Sequence, residues 1–177
     1  MQNDIYICGM YIWPEESSMF ICDVDLFDVV QNDVYEFENK GSVYLIGDLN
    51  SRVGFRNNYI VCDSVNDHMD SDEYVPDVPL ARDSWDKTCN TFGLKLLDLC
   101  KSTCFRIVKG RLGHEFGNGV FTFASQQGAS VIDYVLAREC DFANINMFSV
   151  QDFSGFSDHC PISFSLNCYV QFNEKTL

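Results

Sequence analysis

The pattern of apolar and polar residues in the first third of the chain predicts a strand, a helix and a second strand. Residues 4–12 form an alternating, β-prone run, whereas the apolar residues within 23–40 recur at helical spacing. Gly41 occupies the place expected of a glycine just after a helix C-terminus. Residues 42–46 then form a short apolar strand that leads to Asp48. A helix followed by a strand that ends in a carboxylate is typical of an α/β fold.

The remainder of the chain predicts one more helix and then mainly strands. Ser84 is a suitable N-cap for a helix that ends near Ser102. The predicted buried stripe of this helix consists of Trp85, Cys89, Phe92, Leu96 and Leu99. Apolar runs separated by turns predict strands at 105–108, 120–124, 131–136 and 161–166. Because no repeat or linker interrupts the sequence, we expect a single domain over residues 1–177.

An acidic stretch at residues 63–83 predicts a solvated surface loop. It holds seven acids and two prolines but few apolar groups. The acid spacing also suggests a calcium loop, yet no glycine lies in the turn and no glutamate closes the coordinating frame. We therefore favour a loop and expect it to be the least ordered internal stretch.

The composition indicates a folded intracellular protein. The 177 residues are 46% hydrophobic and 21% charged, which argues against disorder. No apolar run approaches the ~20 residues of a membrane span, and the first residues lack the pattern of a signal peptide. The nine cysteines include no Cys-x-x-Cys pair, so we interpret them as buried apolar groups rather than zinc ligands. A nuclear or cytoplasmic location without a membrane is expected.

The net charge of −14 is concentrated in the first half of the chain. Residues 1–90 carry −13, whereas residues 91–177 carry −1 and include a local basic segment from Lys95 to Arg111. This balance argues against tight non-specific binding to DNA, which depends on neutralising phosphates. It leaves phosphate chemistry open, because a bound divalent ion inverts the field around an acidic site.

Three short polar segments stand at or after apolar runs that predict strands. They are Gly47–Asn50, Ser130–Tyr134 and Ser157–Pro161. Strand ends deliver polar side chains to the rim of a sheet, where ligands bind in open α/β folds. Taken alone, the pair Asp48 and Asn50 is also typical of an ordinary turn.

These segments, together with Tyr11–Pro14, resemble the endonuclease/exonuclease/phosphatase superfamily of metal-dependent phosphodiesterases. Four longer segments resemble the endonuclease domain of non-LTR retrotransposons; they are residues 8–15, 41–52, 96–102 and 153–162. The resemblance extends from about Ile5 to about Leu166. It implies an α/β (α+β) fold of the DNase I-like type, with two packed β-sheets flanked by helices.

The resemblance also implies a role for each candidate site residue. Asp48 orients or deprotonates the attacking water, and Asn50 donates a hydrogen bond to water or phosphate. His159 contacts the scissile phosphate while Asp133 fixes its ring. Asp158 is a candidate partner of the metal ion or of the water, and the metal ion is expected to be Mg²⁺ or Mn²⁺.

Four further residues are candidates for contacts with the substrate. Tyr11 resembles a tyrosine that reaches the phosphate near the leaving group, although an interior aromatic on a strand explains it equally well. The other three, which resemble positions along a DNA cleft, are Ser130, Thr122 and Arg52. His68 and His114 lie in loops without such neighbours and are interpreted as structural.

The front of the domain departs from the family pattern. Full members begin with a strand bearing an asparagine and a second strand whose glutamate binds Mg²⁺, and neither has a counterpart here; Asp4 does not replace that glutamate. We therefore expect a domain truncated at its N-terminus, without the reverse transcriptase that usually follows. Such a chain would bind Mg²⁺ poorly, nick DNA weakly and self-associate through an uncovered sheet edge.

Three functions are compatible with this sequence. The first is a DNA endonuclease that leaves a 3′ hydroxyl for reverse transcription. The second is a phosphatase or phosphodiesterase of the same fold that acts on another substrate, such as a phospholipid head group. The third is a catalytically inactive binding or structural module, which the absence of the glutamate favours.

Overall fold

Helices alternate with strands in the first half of the chain, and strands dominate the second half. The computed structural model describes residues 4–17, 24–60 and 77–167. In chain order the elements are β1 (Asp4–Tyr11), α1 (Leu26–Glu38), β2 (Gly41–Asp48), α2 (Thr91–Ser102), β3 (Phe105–Ile107), β4 (Phe123–Ser125), β5 (Gly128–Ser130), β6 (Asp133–Arg138), β7 (Ile145–Val150) and β8 (Ile162–Leu166). Short 3₁₀ helices lie at Gly113–Glu115 and Glu139–Asn144. This is the mixed α/β content expected from the sequence.

A four-stranded sheet in the order β1-β2-β6-β3 forms the centre of the described fold. Strands β1 and β2 are parallel, and β6 runs antiparallel to both β2 and β3. The register pairs Tyr11 with Asp48 and Asp48 with Asp133. The polar ends of three strands therefore meet at one edge of the sheet.

The two faces of this sheet are covered by different layers. Leu45 and Leu136 point to one face and belong to a core that also contains the buried residues of α1 and α2. Tyr44 and Val135 point to the other face and pack against the β7–β8 hairpin, where Phe148 is fully buried. Burial of each such side chain stabilises the fold by about 1.5–3 kcal/mol. The layers of helix, sheet and second sheet confirm the fold class predicted from the sequence.

Helix α2 begins six residues later than the sequence predicts. Its N-cap is Asn90, whose Oδ1 accepts a hydrogen bond from the Gly93 amide at 2.7 Å. Residues 84–90 instead form no helix, and Cys89 forms an isolated bridge with Val53. The prediction of a helix from Ser84 is wrong, and so is the prediction that Trp85 is buried, since 55% of its surface is exposed.

Gly41 is required by strand packing and not, as predicted, by the end of helix α1. Helix α1 ends with Asn39 as its C-cap, and Gly41 is already the first residue of β2, paired with Asp4. A Cβ atom at position 41 would collide with the carbonyl group of Asp4. Glycine is therefore required here because strand β1 approaches the backbone closely.

The strands of the second half follow the predicted runs with shifted bounds. Strand β4 begins at Phe123 rather than at residue 120, and the sequence did not indicate β5 or β7. Within the acidic stretch, residues 77–83 form no helix or strand. Residues 61–76 lie outside the described residues. The predictions that the acidic stretch is poorly ordered and that His68 is structural depend on them.

Two further sequence expectations concern the burial of the cysteines and the absence of a membrane span. Cys100 and Cys160 are buried as expected, but Cys8, Cys104 and Cys140 are exposed. The expectation that all cysteines are buried is therefore wrong for these three. No helix in the described ranges has the length and apolar character needed to cross a membrane.

Candidate active site

The sheet register places two carboxylates side by side. Asp48 is the last residue of β2 and Asp133 is the first residue of β6, directly opposite it. Opposed residues on antiparallel strands project to the same face, with Cβ atoms about 5 Å apart. Two separate sequence segments thus contribute to one site.

His159 joins these carboxylates from a third segment. Its Nδ1 lies 3.2 and 3.1 Å from the two carboxylate oxygens of Asp133, which is the hydrogen bond predicted from the sequence. Its Nε2 lies 3.9 Å from Asp48 Oδ2. With Nδ1–H donating to Asp133, Nε2 faces the side of the site where Asp48 lies.

The backbone around His159 is held by strand β4 and by Thr122, the residue that precedes this strand. His159 forms an isolated bridge with Phe123, and the amide of Cys160 donates to the Thr122 carbonyl at 2.7 Å. The rings of His159 and Phe123 lie 5.0 Å apart. The imidazole is therefore fixed by its backbone, by a neighbouring ring and by Asp133.

Thr122 is fully buried, so its predicted contact with substrate is corrected by the structure. Its Oγ1 accepts hydrogen bonds from the amides of Ile132 and Asp133, at 3.1 and 3.2 Å. These bonds fix the turn into β6 and the direction of the Asp133 side chain. Thr122 acts on the site through Asp133.

Asp48 is a carboxylate in a partly buried, electrostatically mixed environment. Burial raises its pKa above the ordinary value, and the neighbouring Asp133 raises it further. Hydrogen bonds from Asn50 and the nearby His159 act in the opposite direction without cancelling the increase. Asp48 is consequently a better proton acceptor than an exposed aspartate.

Asn50 is committed to positioning its neighbours. Its backbone adopts a left-handed conformation, with φ of 45°, and its amide donates to Asp48 Oδ1 at 2.9 Å. Its side-chain nitrogen donates to the carbonyl of Ile12 at 2.8 Å and to Asp48 Oδ2 at 3.1 Å. Both side-chain hydrogens are thereby used. This geometry differs from the predicted donation to water or phosphate.

The three convergent side chains also form a candidate metal centre. One ligand atom from each of Asp48, Asp133 and His159 lies within 4.8 Å of the others. Two carboxylates with an imidazole suit a divalent ion, and the nitrogen ligand suits Mn²⁺ better than Mg²⁺. Asp158 is exposed and outside this cluster, and its backbone oxygen accepts from the Ala124 amide at 2.9 Å. The structure therefore does not bring the predicted metal ligand Asp158 to the site.

An open cleft of about 600 Å³ lies over this cluster. Of the predicted residues, Tyr11, Asp48, Asn50, Arg52, Ser130 and His159 line it. Tyr11 is 56% exposed, which excludes the alternative of an interior aromatic. Arg52 and Ser130 are thus placed where the sequence predicts contacts with substrate.

Asp86 organises one wall of the cleft, and sequence reasoning missed it. Its carboxylate oxygens accept from Arg52 Nε and Nη2 at 2.8 and 2.7 Å, and from the amides of Thr88 and Val131. Burial raises the pKa of Asp86, but these hydrogen bonds outweigh it, so the net shift is downward. The segment was interpreted as helix, and no local pattern marks the partners of a buried carboxylate.

Comparison with solved structures shows the fold to which this arrangement belongs. No protein-family model matches the chain, and no curated protein sequence matches it. The 3′-5′ exonuclease NExo from Neisseria meningitidis is similar over 91% of this chain and 60% of its own, with TM-score 0.59 and 14% identity. The 3′ phosphatase NExo from Neisseria bound to product DNA hairpin is similar over 80% and 51%, with TM-score 0.50 and 12% identity.

The endonuclease domain of TRAS1, a telomere-specific non-LTR retrotransposon, is similar over 80% of this chain and 52% of its own, with TM-score 0.47 and 14% identity. The chain thus spans 60% or less of each of these proteins. At these identities the likeness concerns the fold. The likeness to the two NExo structures confirms the DNase I-like fold expected from the sequence.

Proposed function

We propose that this chain, which has the DNase I-like fold of the endonuclease/exonuclease/phosphatase superfamily, hydrolyses phosphodiester bonds in DNA. The observation that carries the proposal is the convergence of Asp48, Asp133 and His159 at the base of an open cleft. Hydrolysis of a phosphodiester needs a positioned water, a proton acceptor and stabilisation of charge on the phosphoryl oxygens. These three side chains match those needs.

Asp48 is the proton acceptor in the proposed reaction. A water oxygen forms the new bond to phosphorus, the ester P–O bond breaks, and the water proton passes to the carboxylate of Asp48. Its raised pKa favours this acceptance, and Asn50 holds its two oxygens in place. Asp133 accepts the proton on Nδ1 of His159, which leaves the lone pair of Nε2 directed to the side of the site where Asp48 lies.

A divalent ion fits the donor set of the site. Asp48 and His159 are the residues that would hold it, because both carboxylate oxygens of Asp133 already face His159. The ion would stabilise negative charge on the phosphoryl oxygens. We propose Mg²⁺ or Mn²⁺, and the imidazole nitrogen in the cluster favours Mn²⁺.

The finer assignment is a nicking endonuclease of the retrotransposon type, supported by the sequence resemblance over residues 5–166. In that setting the product would be a 3′ hydroxyl that primes a reverse transcriptase of the same polyprotein, with DNA reached in the nucleus. Tyr11, at the cleft, would contact the phosphate near the leaving oxygen. Arg52 and Ser130 would contact the substrate backbone.

A binding module without catalysis is the second candidate. It is favoured by the exposed position of Asp158 and by the commitment of the Asn50 amide to internal hydrogen bonds. These two residues were expected to serve the metal and the phosphate. The two candidates predict different results in one assay.

Nicking of supercoiled plasmid tests the proposal. We expect weak nicking in Mg²⁺, stronger nicking in Mn²⁺ and none in EDTA. Asp48→Ala and His159→Ala should each abolish it, whereas Phe116→Ala, an exposed aromatic outside the cleft, should not. A 3′-phosphorylated oligonucleotide and an inositol phosphate, assayed in parallel, distinguish a phosphatase of the same fold. Binding of DNA without metal-dependent cleavage of any substrate would establish the second candidate instead.

A further inference from the structure

Tyr11 and Trp13 are held on the outward side of the strand that borders the cleft. Between them, Ile12 is buried and fixed at both ends: its amide donates to the Asp48 carbonyl at 2.9 Å, and its carbonyl accepts from Asn50 Nδ2 at 2.8 Å. Successive side chains of an extended backbone alternate in direction. With Ile12 directed inward, Tyr11 and Trp13 are directed to solvent.

The two outward rings form an exposed pair at the rim of the site. Their centroids are 5.1 Å apart at an interplanar angle of 76°, so the edge of one ring meets the face of the other. Tyr11 is 56% exposed and lines the cleft, and Trp13 is 41% exposed beside it. Solvent therefore reaches part of an indole that packs against Tyr11, a residue of the cleft lining.

The charges around the cleft do not suit a continuous duplex. Among the described residues that line it, Arg52 is the one lysine or arginine, and two nitrogens of its guanidinium are already bonded to Asp86. Glu15 and Glu16 also line the cleft and are negative. Binding of duplex DNA depends on several cationic contacts with phosphates, whereas stacking on aromatic rings needs only an exposed base.

We propose that Trp13 is a stacking platform for an unpaired nucleobase beside the reacting phosphate. The substrate of the cleft is then single-stranded DNA or locally open duplex, such as a frayed end or the unpaired stretches of a supercoiled plasmid, rather than continuous relaxed duplex. This inference rests on the proposed function and names the form of its substrate. It concerns binding, so it is measurable without turnover.

The two tryptophans of the chain allow a direct test by fluorescence. Trp85→Phe leaves Trp13 as the sole tryptophan. Trp13→Phe leaves Trp85, which is 55% exposed and packs against Phe121 rather than against Tyr11 of the cleft lining. Each variant of the full chain is titrated in Ca²⁺ with a short oligothymidylate, a blunt duplex of equal length, and an abasic deoxyribose-phosphate oligomer of equal length. We expect quenching of Trp13 by the oligothymidylate, little quenching by the other two, and no quenching of Trp85.

Affinity provides the second measurement. Trp13→Ala should weaken binding of the oligothymidylate about tenfold, because stacking of one base is lost, while Phe116→Ala should leave it unchanged. Equal quenching by the abasic oligomer, tighter binding of the duplex, or DNA binding without a change at Trp13 would each overturn the inference.

Hydrolysis of bis(p-nitrophenyl) phosphate, which carries no nucleobase, separates this inference from the proposed function. If the chain hydrolyses this diester but the oligothymidylate does not quench Trp13, the stacking platform alone is rejected. Selective quenching of Trp13 without hydrolysis of any diester supports the platform and rejects the catalytic proposal. Absence of all DNA binding overturns the platform together with DNA as the substrate.

Discussion

At the scale of single residues, the site depends on side chains that satisfy two partners at once. Thr122 Oγ1 accepts from two consecutive amides, and the Asn50 side chain bridges Asp48 and Ile12. The sequence predicted that Asp48, Asp133 and His159 meet at one site, because they lie in recognisable segments. It did not identify how Thr122 and Asn50 act, since a hydroxyl or amide near a cleft serves substrate or backbone equally well.

The first prediction concerns Thr122. Thr122→Val keeps the shape of the side chain but removes the acceptor of the Ile132 and Asp133 amides. We expect a loss of about 1–3 kcal/mol in the free energy of unfolding, because two buried donors lose their partner, together with weaker nicking as Asp133 moves. Thr122→Ser retains the oxygen and serves as the control. Equal stability of the two variants in urea denaturation would contradict this account.

The second prediction concerns the ionisation of Asp48. Its pKa is raised in the folded chain, chiefly by burial, so ionisation is less favourable there than in the unfolded chain. The contribution of Asp48 to stability therefore falls as the pH rises from the ordinary aspartate pKa through the raised value, and is constant above it. We expect the free energy of unfolding of the unchanged chain to fall across that pH interval relative to that of Asp48→Asn, which cannot ionise at this position. Urea denaturation of both proteins at several pH values is the measurement. If the difference in free energy of unfolding between the two proteins were independent of pH, the raised pKa of Asp48 would be disproved.

At the scale of elements, alternation and periodicity predicted β1, α1, β2 and β8 well, because each of them packs one set of apolar side chains against one of the two cores. They failed at the start of α2, where the sequence analysis places the N-cap at Ser84 and the structure places it at Asn90. The choice between them depends on distant partners: Asn90 also binds the Arg52 amide at 2.8 Å and the Asn50 carbonyl at 3.0 Å. Such tertiary hydrogen bonds leave no trace in local periodicity.

The third prediction compares the two candidate caps. Asn90→Ala removes the acceptor of the Gly93 amide and should cost at least about 1–2 kcal/mol of stability, with loss of nicking because the Arg52 loop is released. Ser84→Ala should cost much less, because the Ser84 hydroxyl has no hydrogen-bond partner among the described residues. Thermal unfolding of both variants is the measurement. A larger effect at Ser84 would restore the longer helix predicted from the sequence.

At the scale of the whole molecule, an apolar sheet edge competes with a large negative charge. Strand β1 lies at one end of the sheet, and its outer edge has no partner strand among the described residues. Ile5 and Ile7 on this strand are 40% and 59% exposed. An uncovered edge with exposed apolar residues favours pairing with another chain. The net charge of −14 opposes such pairing at long range.

The last prediction follows from this competition. We propose that the chain self-associates through β1, and that association increases with salt, because salt screens the repulsion between two acidic molecules but leaves apolar burial intact. Sedimentation velocity at low and high NaCl should show a shift from monomer to larger species. Ile7→Lys places a charge on the edge and should keep the chain monomeric at high salt. Val29→Lys, which adds the same charge on α1 at a residue 40% exposed, should not. A chain that is monomeric at every salt concentration, or an equal effect of the two lysines, would show that β1 is not the contact surface.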